Sequence, residues 1–328
     1  MKLSDATFWM AGRLATDCVE ISNDPASLDK PGFWAVICTF EGEWICARFA
    51  TVVDAPLAKS SWQSIATTWH SSQDKDIYQE NVIKIKEKIA AGDIYQVNLC
   101  RVLTADCDQS LQGLSNKLQS DNPAPYSCYL NLPNLEIASA SPELFLEKNG
   151  TQIKCTPIKG TSKSDNFGEK DRAENVMIVD LMRNDFGSIC ESGSVDVPRL
   201  LATEAHPGLF HLVSDVVGKL RPEIKWADIS KSLLPSGSIS GAPKSSALKA
   251  IAEIEKSKRG PYCGVIGFVE NDKAVLSVGI RIFWSEKNGK INFGTGAGIT
   301  WQSEPESEWE ETELKAKRLI AIASGGAL

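Results

Sequence analysis

The sequence has few histidines, no C-x-x-C pair, no long apolar run and no excess of positive charge. Its 328 residues include only three histidines, His70, His206 and His211, which argues against a zinc site built from cysteine and histidine. Lys and Arg number 35 against 42 Asp and Glu, so the net charge of −7 argues against a protein that binds nucleic acid or an anionic membrane surface. A small anionic substrate is still allowed, because it needs only a local positive patch or a bound cation.

The sequence also lacks the segments that direct a chain to or across a membrane. No apolar stretch approaches the roughly 18 residues of a spanning helix, and the N-terminus has no basic-then-apolar signal. The nine cysteines are odd in number and spread along the chain, which favours buried thiols in a reducing compartment over a disulfide framework. We therefore expect a cytoplasmic protein with no membrane partner.

The hydrophobic periodicity predicts an α+β protein with largely antiparallel sheets. Tyr78, Val82, Ile85 and Ile89 recur at helical spacing, and residues 94–104 then alternate as a strand. Further elements are expected as strands at 127–132, 135–140, 143–148, 151–156, 208–220, 262–270, 275–284 and 290–296, and as helices at 171–183, from Pro243 to near Gly260, and from about 308. Because strands cluster and no βαβ alternation dominates, a Rossmann-type domain is disfavoured.

Two glycine-rich stretches resemble nucleotide-binding loops but fail the required spacing. In Gly237-Ser-Ile-Ser-Gly241-Ala-Pro-Lys244, two residues separate the glycine from the lysine, which breaks the phosphate-loop pattern. Gly294-Thr-Gly296-Ala-Gly298 lacks a third glycine at the dinucleotide-binding offset. Two interpretations stay open for both stretches: backbone N–H groups that hold a carboxylate, or simple tight turns.

A cluster of glutamates opens the last predicted helix. Ser307 and Glu310 match a capping box, and Glu311 with Lys315 makes a helical ion pair, so a solvated helix end is favoured on spacing alone. Glu308 and Glu311 nevertheless share one helix face, at a spacing suited to a hard cation. The cluster therefore allows a Mg²⁺ site without requiring one.

Three further residues have both an ordinary and a chemical interpretation. Lys159 lies in the Pro-bounded turn of residues 156–161, where a lysine is usually solvated; a buried lysine would instead lose proton affinity and become a nucleophile. Glu143 follows Ser141-Pro142 at a strand start and reads as an edge residue, and Glu174 reads as a solvated residue near a helix start. Residue chemistry alone predicts an α+β enzyme and leaves undecided whether it depends on Mg²⁺.

A series of eight motifs, most of them several residues long, lies between residues 76 and 325. They are Ala91-Gly-Asp-Ile-Tyr-Gln-Val-Asn-Leu99, Asn122-Pro-Ala-Pro-Tyr126, Ser141-Pro-Glu143, Pro157-Ile-Lys-Gly-Thr161, Asp171-Arg-Ala-Glu-Asn-Val-Met-Ile-Val-Asp-Leu-Met-Arg-Asn-Asp185, His211-Leu-Val-Ser214, Gly237-Ser-Ile-Ser-Gly-Ala-Pro-Lys244, and Gly296-Ala-Gly298 with the final glutamates. Together they resemble the chorismate-utilising enzymes: anthranilate synthase component I, aminodeoxychorismate synthase component I, and the isochorismate and salicylate synthases. The resemblance implies an α+β fold of two stacked, largely antiparallel sheets with helices outside.

The resemblance also implies a Mg²⁺ site. Glu174 and Glu311 would be the metal ligands, with Glu308 beside them, and the metal would hold the ring carboxylate of chorismate. A net-acidic chain could then bind a dianionic substrate.

For the substrate, the resemblance implies two groups of residues. Arg281 and the backbone of Gly296, Ala297 and Gly298 would take the enolpyruvyl carboxylate. The remaining residues would line the ring and its carboxylate; they are Tyr262, Ser238, Gly241 and His211.

Four positions carry the catalytic roles and the choice among sister activities. Glu143 would be the general acid for the departing 4-hydroxyl, and Lys159 would attack C2 to form a covalent adduct. Isochorismate and salicylate synthases have a water-activating lysine where Gln96 stands, and anthranilate synthases usually have alanine where Lys159 stands and histidine where Asn175 stands. These positions favour an aminodeoxychorismate synthase, which makes 4-amino-4-deoxychorismate for p-aminobenzoate and folate. The alternatives are anthranilate synthase component I and, from another class, a non-catalytic subunit that binds a glutaminase.

The chain also departs from the family pattern in places. We expect residues 1–70 to be a shortened N-terminal part packed on a chorismate-binding domain of residues 71–328. No Leu-Leu-Glu-Ser motif is found, so tryptophan feedback is not expected. Because no G-x-C-x-G amidotransferase elbow is found either, ammonia would come from a separate glutamine amidotransferase or from free ammonium.

Overall fold

The computed structural model describes residues 2–162, 164–206 and 209–326. Within them the chain forms 18 strands and six α-helices. The strands are β1 Thr7–Met10, β2 Arg13–Ser22, β3 Phe33–Cys38, β4 Trp44–Asp54, β5 His70–Ser71, β6 Gln96–Asp106, β7 Tyr126–Leu132, β8 Leu135–Ser141, β9 Leu144–Asn149, β10 Gln152–Thr156, β11 Ile158–Ser162, β12 Asp196–His206, β13 Leu209–Lys219, β14 Gly241–Ala242, β15 Val265–Glu270, β16 Lys273–Val278, β17 Ile282–Ser285 and β18 Lys290–Ile299. The helices are α1 Lys75–Ala90, α2 Gln112–Asp121, α3 Glu169–Gly187, α4 Trp226–Leu233, α5 Lys244–Ile254 and α6 Pro305–Ser324.

Every strand pair in this fold is antiparallel. Hydrogen-bonded pairing runs in the order β6, β18, β17, β8, β7, β1, β2, β4, β3, β15, β16, β9, β10, β13 and β12, with β5 and β14 on β6 and β11 on β13. The expected α+β class, antiparallel with helices outside, is confirmed. The pairing joins the strands into one continuous, curled sheet, rather than leaving two separate ones.

The helices cover this sheet in three groups, each over its own apolar cluster. The largest cluster contains the buried faces of α3 and α4 with strands from both halves of the chain, around the fully buried Trp34. Helices α2 and α6 bury Leu118 and Leu319 with β17 and β18. Helices α1 and α5 bury Ile85 and Ile251 against β6. Apolar residues at helical spacing therefore fix which face of each helix lies on the sheet.

The N-terminal strands share the sheet with the rest of the chain. Strand β1 pairs with β7 and β3 pairs with β15, so residues 7–38 contact two later segments. In the part of the chain that the structure describes, no helix is long and apolar enough to cross a membrane. Eight of the nine cysteine side chains are buried, as expected for small apolar residues, and Cys107 is partly exposed.

Two predicted boundaries are wrong, each for a local reason. The helix that begins after Pro243 ends at Ile254 rather than near Gly260, because Glu255 has extended backbone angles and its carboxylate binds the Arg259 guanidinium at 2.7 Å. The strand predicted over 275–284 is two strands, β16 and β17. Arg281 interrupts it with a φ of +50°, a left-handed conformation that does not continue a strand.

Candidate active site

The curl of the sheet brings segments from four parts of the sequence to one place. The Lys159 Nζ, on β11, donates a hydrogen bond to the Ser238 carbonyl oxygen at 3.0 Å. The same Nζ lies 4.0 Å from the position that a Cβ on Gly298 would occupy, and the Gln96 Nε2 lies 2.5 Å from that position. Lys159, Gln96, Gly298 and Ser238 therefore surround one small space, and any side chain at residue 298 would fill part of it.

On strand β11, Lys159 is preceded by Pro157-Ile158 and followed by Gly160, a glycine whose backbone is left-handed. Gly160 has a φ of +86°, and a Cβ there would lie 3.0 Å from the Phe167 ring and 3.1 Å from the Asp171 side chain. Glycine therefore lets the first turn of α3 pack directly on β11. This contact places the acidic residues of α3 beside the lysine.

Lys159 is a partly buried lysine whose amine is subject to the charges of two carboxylates. Burial lowers its pKa from the ordinary value, while the charges of Glu174 and Glu143 act in the opposite direction. A lysine amine is a nucleophile only when it is deprotonated, and burial favours that form. The chemical interpretation of Lys159 thus has a physical basis in its surroundings.

Glu143 is a buried carboxyl group at the turn between β8 and β9, where it is 4% exposed. The turn is fixed because the Glu143 N–H donates to the Ser141 hydroxyl and the Ser141 hydroxyl donates to the Val278 carbonyl oxygen. Burial raises the pKa of Glu143 to about 7, although a hydrogen bond from the Ser238 side chain and the charge of Lys159 oppose the rise. A carboxyl group with this pKa can hold a proton near neutral pH and donate it.

Three glutamates form the acidic part of the site. Glu308 is 3% exposed, and its Oε2 atom has no hydrogen-bond partner within the described residues. The Lys170 Nζ lies 3.9 Å from Glu308 Oε1, and the Lys315 Nζ lies 2.6 Å from Glu311 Oε1. Glu308 and Glu311 lie three residues apart on α6, and the charge of Glu311 acts on Glu308 and on Glu174 of α3.

The pKa values of these glutamates follow from burial and from the two lysines. Burial raises the pKa of Glu308 and of Glu174, and the Glu311 charge adds to both shifts. For Glu311, burial acts to raise the pKa, but the Lys315 ammonium outweighs it with help from Lys170, so the pKa is lowered.

This donor set fits Mg²⁺. The ion prefers carboxylate oxygens and is usually held by one or two carboxylates plus substrate, rather than by a closed protein cage. The unpartnered, buried Oε2 of Glu308 is an oxygen that a cation would satisfy. Among residues 2–162, 164–206 and 209–326, no three His, Cys, Asp or Glu side chains lie close enough together to hold a metal ion by themselves.

Arg281 is the residue that the family resemblance assigns to the enolpyruvyl carboxylate. Its guanidinium makes neither a hydrogen bond nor an ion pair with the described residues, and burial lowers its pKa with a contribution from Arg318. Its left-handed φ of +50° separates β16 from β17 and turns the chain at this point. A half-buried guanidinium without an internal partner suits an anionic ligand.

The glycine run of β18 and Tyr262 lie together. The ring of Tyr262 covers Gly294, where a Cβ would be 2.0 Å from the ring, and Tyr262 is 5% exposed. Gly296, Ala297 and Gly298 pair with residues 98–100 of β6, and a Cβ on Gly296 would lie 2.6 Å from the Leu99 oxygen. These glycines therefore allow close approach of chain to chain, and they lie within strand β18 rather than in a tight turn.

Gly241 and His211 border the site from two strands. Gly241 has a φ of +145°, and a Cβ there would lie 2.1 Å from the Gln96 carbonyl oxygen, so it seats the 237–242 loop on β6. His211 is 1% exposed and lies on β13 opposite β11 and β12.

Two lysines of the site were not singled out from the sequence. Lys315 binds both Glu311 and the Gly296 carbonyl oxygen, the latter at 3.1 Å, so it connects α6 with β18. Lys170 faces Glu308 from the first turn of α3. The Glu311–Lys315 spacing was the only signal in the sequence, and it predicted an ordinary helical ion pair.

Comparison with known proteins identifies the family of this chain. The model of a family described as chorismate binding enzyme matches residues 38–321, so the chain belongs to the chorismate-binding enzymes. Anthranilate synthase component 1 of Lactococcus lactis is 36% identical over 266 residues, covering 77% of this chain and 58% of that protein. Aminodeoxychorismate synthase component 1 of Escherichia coli is 35% identical over 271 residues, covering 78% and 60%. The chain thus spans less than two thirds of the length of these curated relatives.

Solved structures support the fold. Anthranilate synthase component I of Streptococcus pneumoniae superposes with a TM-score of 0.82 at 23% identity, over 98% of this chain and 91% of that one. MenF, the menaquinone-specific isochorismate synthase of Escherichia coli, gives a TM-score of 0.81 at 16% identity, over 98% and 89%. At these identities the likeness shows a shared fold and does not select an activity.

Proposed function

We propose that the chain is the synthase component of an aminodeoxychorismate synthase, which converts chorismate and ammonia into 4-amino-4-deoxychorismate and water. The observation that carries the proposal is the partly buried Lys159 amine, which donates a hydrogen bond to the Ser238 carbonyl oxygen beside the Gln96 amide and is close to the Glu143 carboxyl group. A lysine here supplies a nucleophile, and an amide at residue 96 supplies no base for activating water.

In the proposed reaction, the neutral Lys159 amine attacks C2 of chorismate. The two ring double bonds shift, the C4–O bond breaks, and Glu143 gives its proton to the leaving hydroxyl, which departs as water. Ammonia then adds at C4, the double bonds shift back, and the C2–N bond to Lys159 breaks. The electrons of the C2–N bond return to the Lys159 nitrogen, which leaves as a neutral amine. The added nitrogen gives one proton to the Glu143 carboxylate, so both residues return to their starting states.

The substrate would be held at its two carboxylates. Arg281, which lacks an internal partner, would bind the enolpyruvyl carboxylate, and the Gly296–Gly298 segment would border it. Tyr262, Ser238, Gly241 and His211 would line the remaining surface. Glu174, Glu308 and Glu311 would hold Mg²⁺, which supplies positive charge for the ring carboxylate.

Ammonia would come from a separate glutamine amidotransferase or from free ammonium. Both relatives are named component 1, which supports a further component that acts with them. The partner of this chain is inferred from those names and from its own lack of an amidotransferase elbow.

The test is to incubate the purified chain with chorismate, Mg²⁺ and ammonium and to identify the product by mass spectrometry. We expect aminodeoxychorismate with the pyruvyl group retained. The second candidate is anthranilate synthase component 1, because relatives with that name are equally similar at 36% identity. Anthranilate with released pyruvate would select it and reject our proposal.

A further inference from the structure

Asn175 and Ser214 form a buried polar pair between helix α3 and strand β13. Both side chains are fully buried, at 0% exposure. The Ser214 hydroxyl donates to Asn175 Oδ1 at 2.5 Å, and Asn175 Nδ2 donates to the Leu212 carbonyl oxygen at 3.1 Å. The Leu201 N–H donates to the Ser214 hydroxyl at 3.0 Å. The polar atoms of both side chains are therefore satisfied by fixed partners on two strands.

The same pair borders the strand that carries the nucleophile. The Ser214 N–H donates to the Pro157 carbonyl oxygen at 3.3 Å, and Val213 pairs with Ile158. Lys159 is the next residue along β11. If Ser214 moved, the backbone next to Lys159 would therefore move with it.

On the other side, the pair fixes the helix that carries an acidic residue of the site. Glu174 precedes Asn175 on α3, so the two side chains project about 100° apart around the helix. The first turn of α3 rests on Gly160, and the second turn is hydrogen-bonded to β13 through Asn175. With both turns fixed, the direction in which Glu174 projects is fixed as well.

Lys159 and Glu174 respond strongly to each other's charge. Glu174 exerts the largest opposing effect of any charge on Lys159, and Lys159 exerts the largest opposing effect on Glu174. Their separation thus matters for both, and the Asn175–Ser214 pair joins the two backbones that determine it.

We propose that Asn175 is a positioning residue, with Ser214 as its partner, and that together they set the placement of the Glu174 carboxylate relative to the Lys159 amine. The inference rests on the proposed function, since it takes Glu174 as a metal ligand and Lys159 as the nucleophile. A polar pair with a merely structural role would change stability alone. A positioning pair must also change metal affinity and turnover.

The experiment compares Asn175→Ala, Ser214→Ala and the double variant with Ser127→Ala. Ser127 is a matched control, a buried serine on β7 whose hydroxyl donates to the Ala124 carbonyl oxygen. The probe is Mn²⁺ titrated alone and followed by electron paramagnetic resonance, and steady-state kinetics with chorismate are measured in parallel. Circular dichroism checks that each variant is folded.

We expect each single variant to weaken Mn²⁺ binding about tenfold and to lower kcat about tenfold, with the KM for chorismate changed less than threefold. The double variant should be no worse than the poorer single variant, because the two side chains act as one unit. Ser214→Ala removes a single oxygen atom and so disturbs the fold less. If Asn175→Ala does not fold, the Mn²⁺ affinity and kcat of Ser214→Ala test the proposal.

Three results would overturn the inference. The first is folded variants whose Mn²⁺ affinity and kcat stay within twofold of the unaltered chain, and the second is an equal loss in Ser127→Ala. A third is an unaltered chain that binds no Mn²⁺, which would overturn the metal assignment at the same time. By contrast, a chain that binds Mn²⁺ with the expected pattern but makes no aminated product would overturn the proposed product alone.

Discussion

The Lys159 Nζ and the main-chain oxygen of Ser238 lie 3.0 Å apart, although the two residues are 79 positions apart in the sequence. The side chain of Ser238 also hydrogen-bonds to Glu143, so one residue contacts both the nucleophile and the proton donor of the proposed reaction. The contact to Lys159 uses a carbonyl oxygen, which no substitution of the serine side chain removes. The backbone of the loop of residues 237–242 therefore helps to orient the Lys159 side chain, independently of the side chains that the loop carries.

Replacing Lys159 with alanine should abolish the covalent adduct and lower the rate of amination by on the order of 10³-fold or more, because the nucleophile is lost. The adduct is measured as a mass increase of the intact chain after mixing with chorismate and Mg²⁺ without ammonia. Lys154→Ala is the control, since Lys154 lies on the neighbouring strand β10 and pairs with Asp215. An unchanged rate and product in Lys159→Ala would contradict the nucleophilic role.

Replacing Glu143 with glutamine should lower kcat by about 10²- to 10⁴-fold, because an amide cannot protonate the leaving hydroxyl. The acid must be protonated to act, and burial raises its pKa to about 7, so the rate of the unaltered enzyme should fall as the pH rises through 7. This fall should be absent from Glu143→Gln. The pH profile of kcat tests both statements, with Glu147→Gln on the exposed part of β9 as control. A fall through pH 7 that persists unchanged in Glu143→Gln would exclude Glu143 as the acid.

Replacing Glu308 with glutamine should weaken Mg²⁺ activation about tenfold or more, because the variant loses a buried anionic oxygen that no protein group satisfies. Glu310→Gln on the exposed face of the same helix removes the same charge and should leave Mg²⁺ activation within twofold. The measurement is the rate as a function of Mg²⁺ concentration at fixed chorismate. Equal effects in the two variants would mean that only the overall charge matters.

Replacing Gly160 with alanine should lower the free energy of unfolding by about 2–3 kcal/mol, because a left-handed φ and close contacts to Phe167 and Asp171 both oppose a Cβ. Gly150→Ala isolates the first effect: its φ is +61°, but a Cβ there meets nothing within 4 Å. That variant should cost about 1 kcal/mol. Urea denaturation gives both values, and a cost at Gly160 no larger than at Gly150 would show that α3 does not depend on this close approach.

Local patterns in the sequence predicted much of this fold, where the periodicity was strong. Helix α1 and strand β6 follow from the spacing of Tyr78 and Val82 and from the alternation after Ile94. Strand β2, by contrast, is rich in polar residues such as Arg13 and Glu20, and it forms because β1 and β4 flank it in the sheet. Such pairing is a tertiary effect that a single strand does not encode.

The candidate site shows the same division. Residue chemistry allowed Lys159, Glu143 and the final glutamates to be ordinary surface residues, and only the resemblance to a family gave them roles. Their burial and mutual contacts depend on the curl of the sheet, which no local spacing reveals. The break at Arg281 was missed because its neighbours Ile280 and Ile282 continue the apolar pattern of a strand while the backbone itself turns.

The contacts among Gln96, Lys159 and Gly298 have a consequence for folding. The first and last of these residues are separated by more than half the length of the chain, so these contacts have very high sequence separation. Such contacts close late, after the hairpins and helices that they join. During refolding from urea, recovery of catalysis should therefore lag behind recovery of secondary structure, and enzymatic turnover becomes a probe for the final step of assembly.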